Sequence, residues 1–408
     1  MQRSTDRILT THVGSLARPP DILRGMKART IKAPYDQVKL AADVERCVAD
    51  VVRKQVDVGI DIPNDGEYGR HGFVSYIHER LDGLTPRPLE PDEDIWGARA
   101  DREQQVFPEF FEQYHEHYRY LWMHPDVPID DVPNLPGNYE RFRLSGPVSY
   151  TGHAAIQHDI ATLTKAVGGL PVADTFMTAV SPLQRVKSDR EVLSVYPNEQ
   201  AYLYALADAL HEEYQAIVDA GLILQIDLGV LNPRRAVLQD TRDPTNDDLS
   251  NAMQLGVEVV NHALRGIPEE QVRYHHCWGS MNSPHTQDAP LGAIVHHLLK
   301  IKAQAYVLES ANPRHEHEWM VWQDVKLPDG KILIPGFISP QTNVVEHPEL
   351  VAWRIKNYVS VVGKENLIAG VDCGFSQFWD SIRVHPSVQW AKLKALADGA
   401  ALASQDLY

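Results

Sequence analysis

The stretch VRYHHCWGSMN, residues 272–282, decides the fold. Its first half reads as a short strand that ends in ligand-type side chains rather than in a plain turn. On an extended strand, residues two apart share a face, so His275 and Cys277 project together while His276 points to the other side. Cysteine is scarce here, with three in 408 residues: Cys47, Cys277 and Cys373. One of them in this place asks for partners at the ends of other strands.

Such ends are found by working outward along the chain. Strand-like runs occupy 8–13, 60–63, 142–146, 222–227, 272–277, 305–309, 332–337 and 367–373. Helical patterns fall between several of them, at 37–59, 153–166, 198–220, 247–266, 290–302 and 346–361. Cys47 lies on the apolar stripe of the first of these helices and reads as a small buried hydrophobe. Strands alternating with helices imply a parallel sheet, and eight such units point to a (β/α)8 TIM barrel of class α/β. A doubly wound open sheet is the rival, weakened by the lack of a glycine-rich phosphate loop after the first strand. Residues 85–140 change character, rich in proline, acids and aromatics. They read as an excursion between strands 2 and 3, a lid or an oligomer contact, within one catalytic domain spanning 1–408.

Bulk properties narrow the partners. The formal net charge is −16, with 43% hydrophobic and 23% charged residues. A globular protein this acidic repels phosphate backbones and anionic lipid, which argues against nucleic acid and membrane surfaces. No apolar run approaches the roughly 18 residues needed to span a bilayer. The first residues, MQRSTDRILTTHVGS, lack the apolar core of a signal peptide. Sparse, odd-numbered cysteines argue against a disulfide framework and for a reducing, cytoplasmic setting.

Polar residues recur where the strands end. His12 and Ser15 close the first, Glu67 follows the second, Asp227 ends the fourth, and His275 with Cys277 ends the fifth. Glu309 ends the sixth and Cys373 the eighth. In a barrel these ends open on one face, where such enzymes carry their chemistry. Zinc takes thiolate, imidazole and carboxylate ligands, and His275, Cys277, Cys373 and Glu309 offer that mixture. As a bare pattern the set also reads as coincidence. His315 and His317, in PRHEHEW, read as a hydrated loop, and His296 and His297 as structural or surface residues of a helix. His115 and His117 diverge on a helix and make poor ligands.

The motifs TTHVGSLARP, NDGEYGR, LSGPVS, LQID, the H-x-C at 275–277, LESANPRHEHEW and VDCGF occur in the order of the cobalamin-independent methionine synthase family. The chain resembles the C-terminal catalytic barrel of that family over roughly residues 7–375, in a short single-barrel form. The resemblance implies a zinc-dependent thiol alkyltransferase. Its metal ligands would be His275, Cys277, Glu309 and Cys373, with Zn2+ as the cofactor. Its amino-acid pocket would use Gly14 and Ser15 for the substrate carboxylate and Glu67 and Asp227 for the ammonium group. The partners implied are a small-molecule thiol, such as homocysteine, and an alkyl donor, with a homo-oligomer compatible.

Departures fall on the donor side. His153 stands near the place of the family's pterin-stacking aromatic residue. The segment after the seventh strand has Ser339 and Gln341 where the family has a proton-transferring histidine, and the acidic tripeptide after the fourth strand is cut to Asp227-Leu228-Gly229. Methyl transfer from methyl-tetrahydrofolate or a methylcorrinoid is the leading expectation. Opening of an epoxide by a thiol such as coenzyme M is the alternative, and a zinc-free barrel of the uroporphyrinogen decarboxylase type a third.

Overall fold

The computed structural model describes residues 1–87, 103, 105–113, 127, 141–183, 189–228, 247–279, 282–286, 288–380 and 383–408. Most of the 85–140 excursion, including His115 and His117, lies outside them, as does Gly229.

A six-stranded parallel sheet organises the molecule, in the order β3 (Phe176–Val180), β4 (Ile223–Leu228), β5 (Val272–His276), β6 (Ala305–Leu308), β7 (Ile332–Ile338) and β8 (Gly370–Val371). Neighbours in the sheet are neighbours in sequence, each pair joined through a helical crossover, as parallel pairing requires. Beyond the sheet, isolated parallel bridges join Thr10 to Ala369 and Thr11 to Ile62. Backbone hydrogen bonds accompany them: Thr11 N to Ala369 O at 2.8 Å, Ile62 N to Thr10 O at 3.1 Å and Phe176 N to Pro63 O at 3.3 Å.

One expected sheet strand is misplaced. Residues 142–146 do form a strand, but within β2 (Arg141–Tyr150), which pairs antiparallel with β1 (Leu81–Arg87) in a separate two-stranded sheet. The third strand of the parallel order is Phe176–Val180, a run the sequence pattern left between helices. The motif LSGPVS therefore sits on the hairpin. The hairpin and the helix Glu199–Asp219 are tied by Glu213, fully buried, which accepts from Tyr76 Oη at 2.6 Å, Tyr150 Oη at 2.6 Å and Arg80 Nη1 at 3.0 Å, and Tyr76 Oη in turn accepts from Val180 N of the sheet at 3.0 Å.

The main helices are α1 (Pro20–Thr30), α2 (Gln37–Asp57), α3 (His153–Val167), α4 (Glu199–Asp219), α5 (Asp247–Ala263), α6 (Leu291–Leu298), α7 (Pro348–Val362) and α8 (Pro386–Leu407). Capping explains several starts. Asp36 accepts from Lys39 N before α2, and Asn198 accepts from Ala201 N before α4. Proline occupies the first turn of α1, α7 and α8, where its missing N–H costs nothing. Cys47 is buried on α2, as its position on the apolar stripe led one to expect. No helix among the described residues is long and apolar enough to cross a membrane.

Burial alternates along the strands. Leu224, Ile226, Val272 and Tyr274 pack outward into the large cluster shared with the helices. A second, smaller cluster gathers Leu9, Ile62, Phe176, Ile223, Val307, Ile334 and Ile368 from seven different segments on the inner face. Above it the inner face turns polar. Arg273, with no exposed surface, donates from Nε to Gln225 Oε1 at 2.6 Å and from Nη1 to Thr11 Oγ1 at 3.0 Å, and lies 3.5 Å from the centre of the Phe176 ring. Burial lowers its pKa to about 9, against the pull of Asp227. This cationic layer lies beneath the C-terminal ends of the strands.

Candidate active site

Strand periodicity delivers the first group. Gln225 and Asp227 alternate on β4, and Arg273, His275 and Cys277 run along and just past β5; the register pairs Gln225 with Arg273 and Asp227 with His275. Arg273 can only donate, so Gln225 turns its carbonyl oxygen to it and its amide nitrogen to Asp227 Oδ1, 2.6 Å away. The same Oδ1 lies 2.9 Å from His275 Nδ1. Asp227 thereby holds the proton on Nδ1 and leaves the Nε2 lone pair of His275 turned away. Nε2 is buried and has no partner. Burial lowers the pKa of His275, but the hydrogen bond and charge of Asp227 outweigh it and the net shift is upward.

The thiols meet beside the His275 ring. Cys277 Sγ lies 3.2 Å from Cys373 Sγ and 3.1 Å from Glu309 Oε1. His275, Cys277 and Cys373 bring one ligand atom each to within 4.8 Å of one another, all three buried. It is the one group of its kind among the described residues. Glu309 is aimed by its neighbours: Oε1 accepts from Trp278 N at 2.8 Å, and Oε2 from Asn312 Nδ2 at 2.9 Å. Asp372, next to Cys373, accepts from Ser310 N and Ala311 N at 2.7 Å each and so pins the segment after Glu309. The protonation states fit a centre built for a cation. Burial, then Asp372 and Cys373, push Glu309 up to about 8, and the bond to Cys373, then burial, drives Cys277 well above the usual thiol range. A buried carboxyl, two abutting thiols and an unpartnered imidazole nitrogen are a donor set that Zn2+ satisfies.

The second group gathers around Glu67. Glu67 Oε1 accepts from Thr178 Oγ1 at 2.9 Å, while Oε2 is buried without a partner. Burial, followed by the charge of Asp227, raises Glu67 to about 7. A Cβ on Gly14 would stand 2.8 Å from Glu67 Oε1, and one on Gly374 would stand 2.0 Å from Ser15 Oγ. Gly14 thus abuts Glu67, and Ser15 abuts the residue after Cys373. The eight residues singled out in the sequence lie in one connected constellation at the strand ends.

Other expectations come out differently. His276 points away, as the alternation requires, and packs edge-on to Trp278 at 4.7 Å; burial depresses it to about 3. His317 is exposed, but His315 is not in a hydrated loop. It is buried between Asp288 and Glu318, stacks on Trp278 at 4.1 Å, and is lifted to about 9 by those two acids against its burial. Through Trp278 it backs Glu309. Nothing in the PRHEHEW pattern separates the two histidines except the i+3 spacing of His315 and Glu318. His153 starts α3 with its side chain 64% exposed, beside Glu212.

No protein-family model matches the chain. It is 23% identical over 397 residues to the uncharacterised protein YxjH of Bacillus subtilis, covering 95% of this chain and 92% of that one. To a methionine synthase of Saccharolobus islandicus it is 22% identical over 402 residues, covering 98% and 95%. The B12-independent methionine synthase of Shewanella sp. W3-18-1, solved with selenomethionine, shares its fold with a TM-score of 0.66 at 18% identity, over 98% of this chain and 99% of that one. The chain is thus similar in sequence to methionine synthases and in fold to B12-independent ones. A putative methionine synthase of this type from Listeria monocytogenes shares the fold with a TM-score of 0.61, at 18% identity and over 98% of this chain. The methionine synthase likeness runs almost the full length of both partners, in keeping with the motif order along the sequence.

Proposed function

We propose that this chain is a zinc-dependent thiol alkyltransferase that transfers a methyl group to the sulfur of homocysteine or a closely similar thiol, forming methionine. His275, Cys277, Cys373 and Glu309 would hold the metal, within a single (β/α)8 domain. The bridges from Ala369 to Thr10 and from Thr11 to Ile62 support closure of the six-stranded sheet through two further strands. The observation that carries the function is the buried trio of His275, Cys277 and Cys373, with the Glu309 carboxylate against one of its sulfurs.

Zinc bound there supplies Lewis acidity that makes an incoming thiol an anionic nucleophile at neutral pH. The chain's own residues do the rest. Asp227 fixes the His275 tautomer. Glu67 Oε2 receives the substrate ammonium, and the Gly14–Ser15 backbone receives its carboxylate. Burial of these groups excludes water, so the sulfur meets the donor carbon unshielded. A carbon–sulfur bond forms as the bond from methyl to its carrier breaks, and the carrier keeps the electron pair. The carriers that fit are methyl-tetrahydrofolate and a methylcorrinoid. Incubation of zinc-loaded protein with homocysteine and each carrier tests this; methionine forms with one of them, and no methionine from either overturns the methyl-transfer reading.

A second reading rests on His153. Its exposure at the start of α3 leaves the expected pterin-stacking place without an aromatic platform from that residue. Thiol-dependent opening of a small epoxide needs no such platform. Thiol consumption with epoxides, without methionine synthesis, would select it.

A further inference from the structure

Glu67 is held by a relay of donors that starts outside the pocket. Arg70 Nη1 donates to Thr178 O at 2.8 Å and to Thr178 Oγ1 at 2.9 Å. A guanidinium has only protons to give, so the Thr178 oxygen accepts there. Its single proton then goes to its other neighbour, Glu67 Oε1, at 2.9 Å. That commits Oε1 as an acceptor and leaves Oε2, buried and unpartnered, as the open oxygen of the carboxylate. Arg70, Thr178 and Glu67 are each at most 3% exposed.

Two independent features hold this arrangement. Glu67 has φ of 60°, in the left-handed region that a residue with a long side chain avoids unless its surroundings impose it. At Gly14, a Cβ would stand 2.7 Å from Thr178 Cγ2 and 2.8 Å from Glu67 Oε1, so the missing side chain is what lets all three groups meet. Arg70 is itself fixed, its guanidinium 4.3 Å from the centre of the Tyr76 ring.

We infer that Thr178 is a positioning residue that fixes Glu67 so that Oε2 alone meets the ammonium group of the thiol substrate, which makes the site select thiols bearing an α-amino group. This rests on the alkyltransferase reading above. Thr178 touches neither the metal ligands nor the reacting sulfur, so its loss should change selectivity rather than chemistry.

The test compares zinc-loaded wild type, Thr178→Val and Thr178→Ser, using homocysteine and 4-mercaptobutanoate, the same thiol without its amino group. Calorimetry gives both affinities independently of the alkyl donor, zinc per chain is measured, and steady-state assays separate KM from kcat. Wild type should favour homocysteine by about a hundredfold or more, the scale of a site whose buried polar group is left unmatched. Thr178→Val should cut that preference at least about tenfold, through KM, with zinc content unchanged and kcat within about twofold. Thr178→Ser, which keeps the hydroxyl, should restore it. A wild type that binds both thiols equally overturns the functional reading and this inference with it. A wild type that discriminates while Thr178→Val discriminates just as well, or weakens both thiols alike, overturns the relay alone. If the valine variant fails to fold, Thr178→Cys carries the same test with a weaker donor: it must fall between wild type and loss of preference.

Discussion

Glu67 shows what burial does to one carboxylate. Its pKa of about 7 is set first by burial and then by the Asp227 charge, so the acid form dominates below that point. Pairing with an ammonium group needs the anion. The KM for homocysteine should therefore rise about tenfold per unit as pH falls below 7, and Glu67→Gln should lack that limb of the profile. The same shift bears on stability. The folded value lies above the usual carboxylate value of 4.5, so between those points the native state holds more protons than the unfolded one. Stability contributed by this group is full below about 4.5 and is lost as pH rises toward 7. Glu67→Gln should accordingly stabilise the substrate-free protein at pH 8, by up to about 2 kcal/mol in urea titration. At the neighbouring centre, Cys277, raised well above its usual range, and Glu309, at about 8, must both give up protons before a cation binds. Because the Cys373 thiol must ionise as well, zinc affinity measured against a competing chelator should climb at least about a hundredfold per unit between pH 6 and 7.5; a slope near zero would remove the thiolate assignment.

Among the elements, β7 presses closely on the residue that follows β8. A Cβ on Gly336 of β7 would stand 2.2 Å from Asp372 Oδ1 and 2.4 Å from its backbone nitrogen. Gly336→Ala should push the strands apart, displace Cys373 from Cys277, lower zinc per chain well below one, and destabilise the fold by about 2 kcal/mol. Metal analysis and denaturant titration check both effects. Elements also show what a sequence discloses. Strands β4, β6 and β7 were legible as short, largely apolar runs and β5 by its ligand-type ending, and His275 with Cys277 follows from strand period alone. The helices α2, α3, α4, α5 and α7 were legible from their period. Strand β3 was not, because FMTAV is five residues long and inserts into the sheet after a helix that follows the hairpin. Residues 142–146 carry a stronger strand signal, but the signal is local and cannot say which partner pairs with it. Helix α8, with its alanine-rich sequence, shows little apolar periodicity and a buried Lys392 on its inner face. The relays through Gln225 and Thr178 were hidden for a related reason: each joins residues far apart in sequence, and neutral side chains advertise no chemistry.

At the scale of the whole molecule, charge is unevenly distributed. The chain carries a net −16, and although Arg18, Arg70, Arg273 and Lys392 are buried, buried acids outnumber buried bases among the described residues, so part of that negative charge lies inside and the rest leaves an acidic exterior. A zwitterionic amino acid feels little of this field, while a polyanionic methyl donor is repelled at long range. Raising ionic strength from about 10 mM to about 150 mM should therefore increase kcat/KM for a polyglutamylated folate donor several-fold and leave the homocysteine KM nearly unchanged, since the screening length falls from roughly 30 to 8 Å. An unaltered kcat/KM across that range would mean the donor enters where the surface is neutral. The 3.2 Å contact between the sulfurs of Cys277 and Cys373 has its own bearing on how such a molecule survives. If the site holds the proposed cation, its loss leaves two abutting thiols one oxidation step from a disulfide, so scarcity of the metal and exposure to oxidants should silence the protein together, and a reductant followed by resupply of the ion should wake it.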